Sequence, residues 1–218
     1  MNQSIQKALQ ILDLFIEEGG GELTLHQISE KTNIPTPTAY RILTPLESGD
    51  ILYKTKSSRH DSRYRLGLKL LELGQLVSDQ LELRGIALPF MQQLAKDINE
   101  VVHLVIVNQN KATYIEKVES TRALRLVTRI GKSTPLYTGS GPKLLLAHLP
   151  LEKQQEILAE SELYSLTDHT PIDKTKLWEE LAEIRKQGFA FSIAEQDADT
   201  TGVSYPIYDY RGKVIAAL

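Results

Sequence analysis

The chain has 218 residues, of which 41% are hydrophobic and 24% charged, with a formal net charge of −3 and no cysteine. These values are typical of a globular protein with one large or two small domains, and the lack of cysteine excludes disulfides, thiolate metal sites and a cysteine nucleophile. No apolar run approaches the length of a transmembrane helix, and the start lacks the basic and apolar segments of a signal peptide. We therefore expect a cytoplasmic protein without a membrane partner.

The first elements predict a helix-turn-helix. Helical spacing of apolar residues indicates a first helix over 4–18, which three consecutive glycines end. The following segment, LHQISEKTNIPTPTAYRILTPL over 25–46, places Ile28, Ile34 and Ile42 where two helices bury apolar side chains against each other. Ser29 and Ala39 are small, so helices that cross steeply can approach closely.

Two local signals support this interpretation. Thr24 and Gln27 fit a T-x-x-Q capping box that begins the first helix of the pair. Asn33 falls at the tight turn, where a positive φ is needed and Asn tolerates it better than most residues. Pro45 lies inside the predicted second helix, and because its ring clashes with the Arg41 carbonyl, we expect the helix to kink or end there.

A basic hairpin follows. Short strands at 51–53 and 64–66 flank the polar segment KTKSSRHDSR. Between Thr36 and Lys69, seven basic residues stand against three acidic ones, a local charge of +4 in an acidic chain. Such a patch beside a helix-turn-helix favours phosphate contact, although a solvated charged loop is the alternative. Residues 1–66 are therefore predicted to form a winged helix-turn-helix DNA-binding domain.

The rest of the chain predicts a linker helix and an α+β domain. Residues 67–84 form a leucine-rich helix that we expect to pack against a partner subunit, and a further helix runs to about residue 97. Strands are predicted at 101–107, 112–118, 123–128, 189–194, 203–208 and 213–218, and helices at 142–149, 151–160 and 173–187. This order predicts one antiparallel sheet with helices on one side.

In a winged helix the second helix of the helix-turn-helix enters the major groove, and the wing contacts backbone or minor groove. The candidate DNA contacts on these elements are Thr36, Thr38, Tyr40, Arg41, Lys54, Lys56, Arg59 and Arg63. Arg41 is suited either to read guanine or to hold phosphate. Tyr40 either contacts DNA or packs under the wing, and Arg65 is left to pair within the protein.

Six segments in order carry a family resemblance: SIQKALQILDLF, IPTPTAYRILTPLESGDIL, RYRLGLKLLELG, GKSTPLYTGSGPKLLLAHLP, GFAFSIAEQ and YPIYDYRGKVIAAL. Together they resemble the IclR family of bacterial transcriptional regulators over essentially the whole chain. The resemblance implies operator DNA, a small-molecule effector and a homodimer or homotetramer. It also implies a GAF-like effector domain over 85–218, incomplete at its C-terminal end because the family continues with a Ser-x-Ser-Gly strand and a closing helix.

The effector site has one signal of its own. Gly139-Ser140-Gly141 precedes a predicted helix, and free N–H groups at a helix start favour an anionic ligand such as a carboxylate, although such a turn is usually only a cap. By position, the resemblance assigns effector contacts to Ala123, Leu126, Ser140, Gly141, Ser192, Thr200 and Gly202. Pro142 stands where the family usually has glycine, and Tyr137 either lines the pocket or packs in the core.

The sequence gives little support for metal binding or catalysis. The five histidines lack the spacing of a metal site, and His103, in a predicted buried strand, is interpreted as a satisfied core residue. Glu195, Asp197 and Asp199 form an acidic cluster that we interpret as a solvated loop. No G-x-S-x-G, P-loop, G-x-G-x-x-G or HExxH motif occurs, so we predict no catalytic residue, cofactor or metal.

Three functions follow from these patterns. The chain is predicted to be a ligand-responsive DNA-binding regulator rather than an enzyme. The alternatives are an enzyme that acts on a small metabolite and carries a winged-helix accessory domain, and an assembly module that uses the winged helix for protein contacts. The basic wing argues against the assembly module, since a protein-binding face more often exposes apolar residues.

Overall fold

The computed structural model describes residues 2–56, 62–122, 128–160 and 163–218. The chain divides into two compact units, one that ends at Leu81 and one that comprises Glu82–Leu218. None of the helices in the described ranges has the length and apolar character needed to cross a membrane.

The first unit is a small helical domain with a three-stranded antiparallel sheet of order β1-β3-β2. Its elements are α1 (Gln3–Glu17), β1 (Leu23–Thr24), α2 (Leu25–Thr32), α3 (Thr36–Ser48), β2 (Leu52–Lys56), β3 (Ser62–Leu66) and α4 (Lys69–Asp79). The predicted helix-turn-helix is α2 and α3. The predicted wing is β2 and β3, which are longer than expected, and β1 is a third strand that the sequence pattern did not indicate.

Apolar side chains at helical spacing hold this unit together. Ile28 and Leu43 are fully buried, and Ile34 and Ile42 are nearly so. They share one core with residues of α1 and with Leu52 and Tyr64 of the wing. Because the same residues serve both α2–α3 packing and the sheet, the wing is held in place by the core of the helix-turn-helix.

Of the two outcomes expected at Pro45, a kink or an end of α3, the end is wrong, because the helix continues to Ser48. Pro45 removes only one N–H donor, and its own carbonyl still accepts a hydrogen bond from Gly49 N at 3.0 Å. Thr44 Oγ1 also donates to the Tyr40 carbonyl at 2.9 Å, so the turn before the proline keeps additional bonding.

The second unit is an α+β domain, as the element order predicts. Its elements are α5 (Glu82–Ile98), β4 (Val102–Asn108), β5 (Lys111–Val118), β6 (Ser133–Pro135), α6 (Ser140–His148), α7 (Leu151–Glu160), α8 (Lys174–Gln187), β7 (Ala190–Ile193), β8 (Thr201–Ser204), β9 (Pro206–Tyr208) and β10 (Val214–Ala217). The strand expected over 123–128 falls mostly outside the described residues, and β6 was not predicted.

Strand β4 is central, as its apolar character on both faces indicates. It lies between β5 and β10 in a five-stranded sheet of order β6-β5-β4-β10-β9. The β4–β5 hairpin turns at Gln109 and Asn110, both with positive φ. Helix α6 is buried over Ser140–Ala147, so it forms the centre of the unit rather than a surface helix.

The prediction of one antiparallel sheet is wrong in one respect, because β7 and β8 form a separate two-stranded sheet. The expected strand over 203–208 divides at Tyr205. Tyr205 N donates to the Leu218 carbonyl at 2.9 Å, and Leu218 N donates back at the same distance, while Pro206 has no N–H to donate. The segment before Tyr205, β8, therefore pairs with β7, and the segment after it, β9, pairs with β10.

Candidate functional site

Local hydrogen bonds define the start of α2 and the turn between α2 and α3. Gln27 N donates to Thr24 Oγ1 at 3.2 Å, and Thr24 N donates to Gln27 Oε1 at 2.9 Å, which confirms the predicted capping box. Asn33 has φ 54°, which confirms the predicted left-handed turn. Ser29 Oγ donates to the Ile34 carbonyl at 2.7 Å and lies 3.0 Å from Thr36 Oγ1. These bonds fix where α3 begins relative to α2.

One side of α3 is open to solvent. Thr36, Tyr40 and Arg41 are exposed and Thr38 is half-buried, whereas Ala39 is fully buried and faces the core. Within the described part of the chain, the Arg41 side chain has no ion-pair partner. An exposed arginine flanked by hydroxyl groups suits contact with phosphate or a guanine edge.

The wing adds cationic side chains beside this surface. Lys54 Nζ lies 5.9 Å from the centroid of the Tyr40 ring and 5.8 Å from that of Tyr64. Tyr64 is buried, whereas Tyr40 is 50% exposed. Tyr40 therefore interacts with the wing through Lys54 while half of its surface stays accessible to solvent. Arg65 stacks on Tyr53, with its guanidinium carbon 4.7 Å from the ring centroid.

Strand alternation explains the direction of the wing residues. Tyr64 points into the core, so its neighbours on β3, Arg63 and Arg65, lie on the exposed side. Lys56 is the last residue of β2, and its side chain and the whole of Arg59 lie outside the described part of the structure. The predicted DNA-contact residues that the structure describes therefore lie on α3 and the wing of one unit.

The second unit contains a cavity of about 1130 Å³. Its walls come from the end of α5, from β4 and β5, from the start of α6, and from the segment that leads from β7 into β8. Five predicted effector residues line it: Ser140, Gly141, Ser192, Thr200 and Gly202. The other two, Ala123 and Leu126, lie outside the described residues. Tyr137 is not part of the lining; it packs in the core, and its hydroxyl donates to the Tyr164 carbonyl at 3.3 Å.

Three serines meet at the start of α6. Ser140 N donates to Ser192 Oγ at 3.0 Å, and Ser140 Oγ lies 2.9 Å from Ser204 Oγ. Gly202 leaves room for this cluster, because a Cβ there would lie 2.6 Å from Ser140 Oγ and 3.0 Å from Ser192 Oγ. Any side chain at this position would displace the two hydroxyls.

Of the N–H groups at this helix start, which are the premise for an anionic ligand, only that of Gly141 has no hydrogen-bond partner among the described residues. Gly139 N donates to Glu195 Oε2 at 2.8 Å, Ser140 N is taken by Ser192, and Pro142 has no N–H. The protein thus supplies its own carboxylate at the positive end of the helix.

A buried ion network lies beside the start of α6. Lys143 is 1% exposed, and its Nζ bonds Glu195 Oε1 at 2.5 Å and also bonds Glu180. Burial raises the pKa of Glu195, opposed by the nearby Lys143 charge. The interpretation of Glu195 as part of a solvated loop is wrong, because its carboxylate is buried against Lys143. A lone lysine in the apolar run PKLLLA was the sequence signal for such a partner.

The interpretation of His103 as a satisfied core residue is wrong. It lines the cavity, packs edge-on against Tyr114 with ring centroids 5.3 Å apart, and its buried Nε2 has no hydrogen-bond partner in the described structure. Burial, with a smaller contribution from the Lys117 charge, lowers the pKa of His103 to about 4. The imidazole is therefore neutral at physiological pH.

Sequence reasoning also missed Gln196. Tyr114 Oη donates to Gln196 Oε1 at 3.2 Å, and Gln196 Nε2 donates to the Thr138 carbonyl at 2.7 Å. This amide joins β5 to the loop after β7 on one wall of the cavity. Among the described residues, no three His, Asp or Glu side chains come together as metal ligands.

Two family models match the chain. One is described as the IclR helix-turn-helix domain and covers residues 4–56; the other, as the bacterial transcriptional regulator IclR C-terminal domain, covers residues 75–218. The chain is 33% identical to the HTH-type transcriptional regulator KipR of Bacillus subtilis (strain 168), over 100% of this chain and 84% of that protein. It is 30% identical to the HTH-type transcriptional regulator XynR of Escherichia coli (strain K12), over 99% and 84%.

Solved structures agree with these matches. The Thermotoga maritima IclR structure has a TM-score of 0.73 and 32% identity, and covers 98% of this chain and 85% of that one. An IclR homolog from Microbacterium hydrocarbonoxydans, complexed with 4-hydroxybenzoate, has a TM-score of 0.81 and 26% identity, over 99% and 87%. The matched proteins are regulators, which favours regulation over catalysis.

Proposed function

The chain belongs to the IclR family of bacterial transcriptional regulators, and on that basis we propose that it binds operator DNA and releases or engages it in response to a small metabolite. We assign residues 1–66 to DNA binding, 67–84 to the linker helix and 85–218 to effector binding. The observation that carries the proposal is the exposed face of α3, where Arg41 has no ion-pair partner among the described residues and the cationic wing lies beside it.

The DNA-binding mode follows from that face. Thr36, Tyr40 and Arg41 are exposed on α3 and would enter the major groove, while Lys54 and Arg63 lie on the wing. Cations supply affinity through phosphates, and the hydroxyl and guanidinium groups on α3 supply base contacts.

A second copy of the chain completes the regulator. Helix α4 has no buried residue, and most of its apolar side chains are exposed, including Leu71 at 70% and Leu76 at 55%. Such a stripe supports a homodimer or homotetramer in which two α3 helices meet successive operator half-sites. A ligand changes DNA affinity only if it binds two arrangements of these helices differently.

The cavity of the second unit is the site proposed for the effector. Its volume suits a small metabolite, and it gathers the serine cluster, His103 and apolar walls within one concave surface. The Microbacterium neighbour, which holds 4-hydroxybenzoate, supports a small-molecule site in this fold.

The test compares Arg41→Ala with Arg185→Ala, a matched loss of charge at an exposed position on α8. Fluorescence anisotropy is measured on labelled DNA from upstream of the protein's own gene, across a salt series. We expect Arg41→Ala to weaken binding by about tenfold or more and to change the salt slope by about 1 if Arg41 holds a phosphate. Equal affinities for the two variants, with both folded by circular dichroism, would contradict the assignment of α3.

A further inference from the structure

The end of α3 and the start of α4 meet backbone to backbone at Gly67. Gly67 N donates to the Ile51 carbonyl at 2.8 Å. A Cβ on Gly67 would lie 2.0 Å from the Asp50 carbonyl oxygen and 3.0 Å from the Ile51 carbonyl carbon, so only glycine fits in this geometry. We propose that Gly67 is a positioning residue that sets the direction in which α4 leaves the winged helix, and thereby the separation of the two α3 helices in a dimer. This inference rests on the proposed function, because it concerns a dimer that binds two operator half-sites.

The turn that Gly67 touches belongs to the end of α3. Asp50 N donates to the Glu47 carbonyl at 3.1 Å, and Ile51 N donates to the Leu46 carbonyl at 2.9 Å. Asp50 has φ 56°, which reverses the chain directly after the helix. Because these bonds tie the turn to the last residues of α3, a displacement at Gly67 changes the direction of α4 relative to α3.

Side-chain packing does little to fix the direction of α4. None of its residues is buried, and its N-cap residue makes no side-chain capping bond. That residue, Leu68, is 81% exposed. The direction of α4 relative to α3 therefore depends on the backbone contact at Gly67.

A small displacement at Gly67 grows along α4. A Cβ needs about 3 Å or more from an oxygen atom, so Gly67→Ala must separate this residue from the Asp50 carbonyl by about 1 Å. Over the first helical turn, which rises about 5.4 Å, that displacement tilts α4 by about 10°. Helix α4 has 11 residues and is about 16 Å long, so its far end moves by about 3 Å. This is close to the rise of one base pair, about 3.4 Å.

The first test measures the direction of α4 without DNA. The chain has no cysteine, so spin labels are attached at Asp79→Cys, at the far end of α4, together with either Glu30→Cys on α2 or Asp13→Cys on α1. All three positions are exposed. Labelled chains are diluted into unlabelled ones, and pulsed electron paramagnetic resonance gives the distance within one chain. We expect Gly67→Ala to shift the mean distance by about 2–3 Å in at least one label pair.

The matched control is Gly21→Ala in the same unit, where a Cβ would meet only the Glu18 carbonyl oxygen at 3.7 Å. It should shift neither distance by more than about 1 Å. Unchanged distances in Gly67→Ala, with the variant folded by circular dichroism, would overturn the proposal. Leu68→Gly is measured beside it and carries the test if Gly67→Ala does not fold, because it adds backbone freedom after Gly67 without a clash. Broader distance distributions are expected for Leu68→Gly, and unchanged widths would also overturn the proposal.

The second test measures the separation of the half-sites. In vitro selection from a pool of random-sequence duplex DNA is run with the natural chain and the three variants. We expect the same half-site sequence throughout, a spacing that differs by about one base pair or more for Gly67→Ala, and a wider range of spacings for Leu68→Gly. The natural spacing in both variants would overturn the proposal. Selection of no sequence by the natural chain would instead overturn the regulatory function, and the spin-label distances would still decide the role of Gly67.

Discussion

Acidification is expected to destabilise the second unit through His103. Its pKa is lowered from 6.5 to about 4 in the folded protein, mainly because burial disfavours the charged ring. Between these two values the unfolded chain takes up a proton that the folded chain does not, so the free energy of unfolding falls as pH drops from about 6.5 to about 4 and levels off below. At about 1.4 kcal/mol per pKa unit, the full loss is about 3 kcal/mol.

The measurement is urea unfolding at about pH 7, 5.5 and 4.5, compared between the natural chain and His103→Asn. Trp178 is the single tryptophan of the sequence and packs against the core of the second unit, so its fluorescence follows that unit. Carboxylates titrate in the same range, and subtracting the variant removes their contribution. His169→Asn, at an exposed position in the same unit, controls for loss of a histidine.

The natural chain and His169→Asn should lose about 2.4 kcal/mol more than His103→Asn between about pH 7 and 4.5. The variant also loses the edge-on contact with Tyr114, but that offset is the same at every pH. Parallel pH profiles for His103→Asn and the natural chain would refute the buried, neutral state of this ring.

Two further changes test the scaffold. Lys143→Met should destabilise the second unit by about 3–5 kcal/mol, because it leaves the Glu195 carboxylate buried without its cation. Unfolding followed by Trp178 fluorescence measures this loss, and the control Lys186→Met, at an 80% exposed position, should change the free energy of unfolding by less than about 0.5 kcal/mol. Equal losses in the two variants would contradict the ion network. Asn33→Val should destabilise the first unit by about 1–2 kcal/mol because φ is 54°, whereas Asn33→Gly should be nearly neutral. Hydrogen exchange of the α2 and α3 amides measures this difference, and equal protection in the two variants would count against a left-handed requirement.

Local patterns were enough to predict the helix-turn-helix of the first unit. The capping box at Thr24, the turn at Asn33 and the buried Ile28 depend on neighbours a few residues away, so spacing alone reveals them. The central position of β4 also follows from its composition, because a strand apolar on both faces must be covered on both.

Long-range pairing explains what the sequence pattern missed. Lys143 and Glu195 are 52 residues apart, and only the packing of α6 against the segment after β7 brings them together. The division of a strand at Tyr205 likewise depends on Leu218, which occupies its backbone groups. His103 fits the pattern of a buried strand, and nothing local reveals that its ring faces a cavity.

The central claim is that α3 and the wing bind a specific DNA sequence. The most direct measurement is salt-titrated anisotropy of the natural chain on DNA from upstream of its own gene, against a scrambled fragment of the same length. The account predicts tighter binding to the upstream fragment and a steep loss of affinity with salt, since cations on α3 and the wing displace counterions. No binding to either fragment, or to pooled genomic fragments at low salt, by folded protein would contradict it.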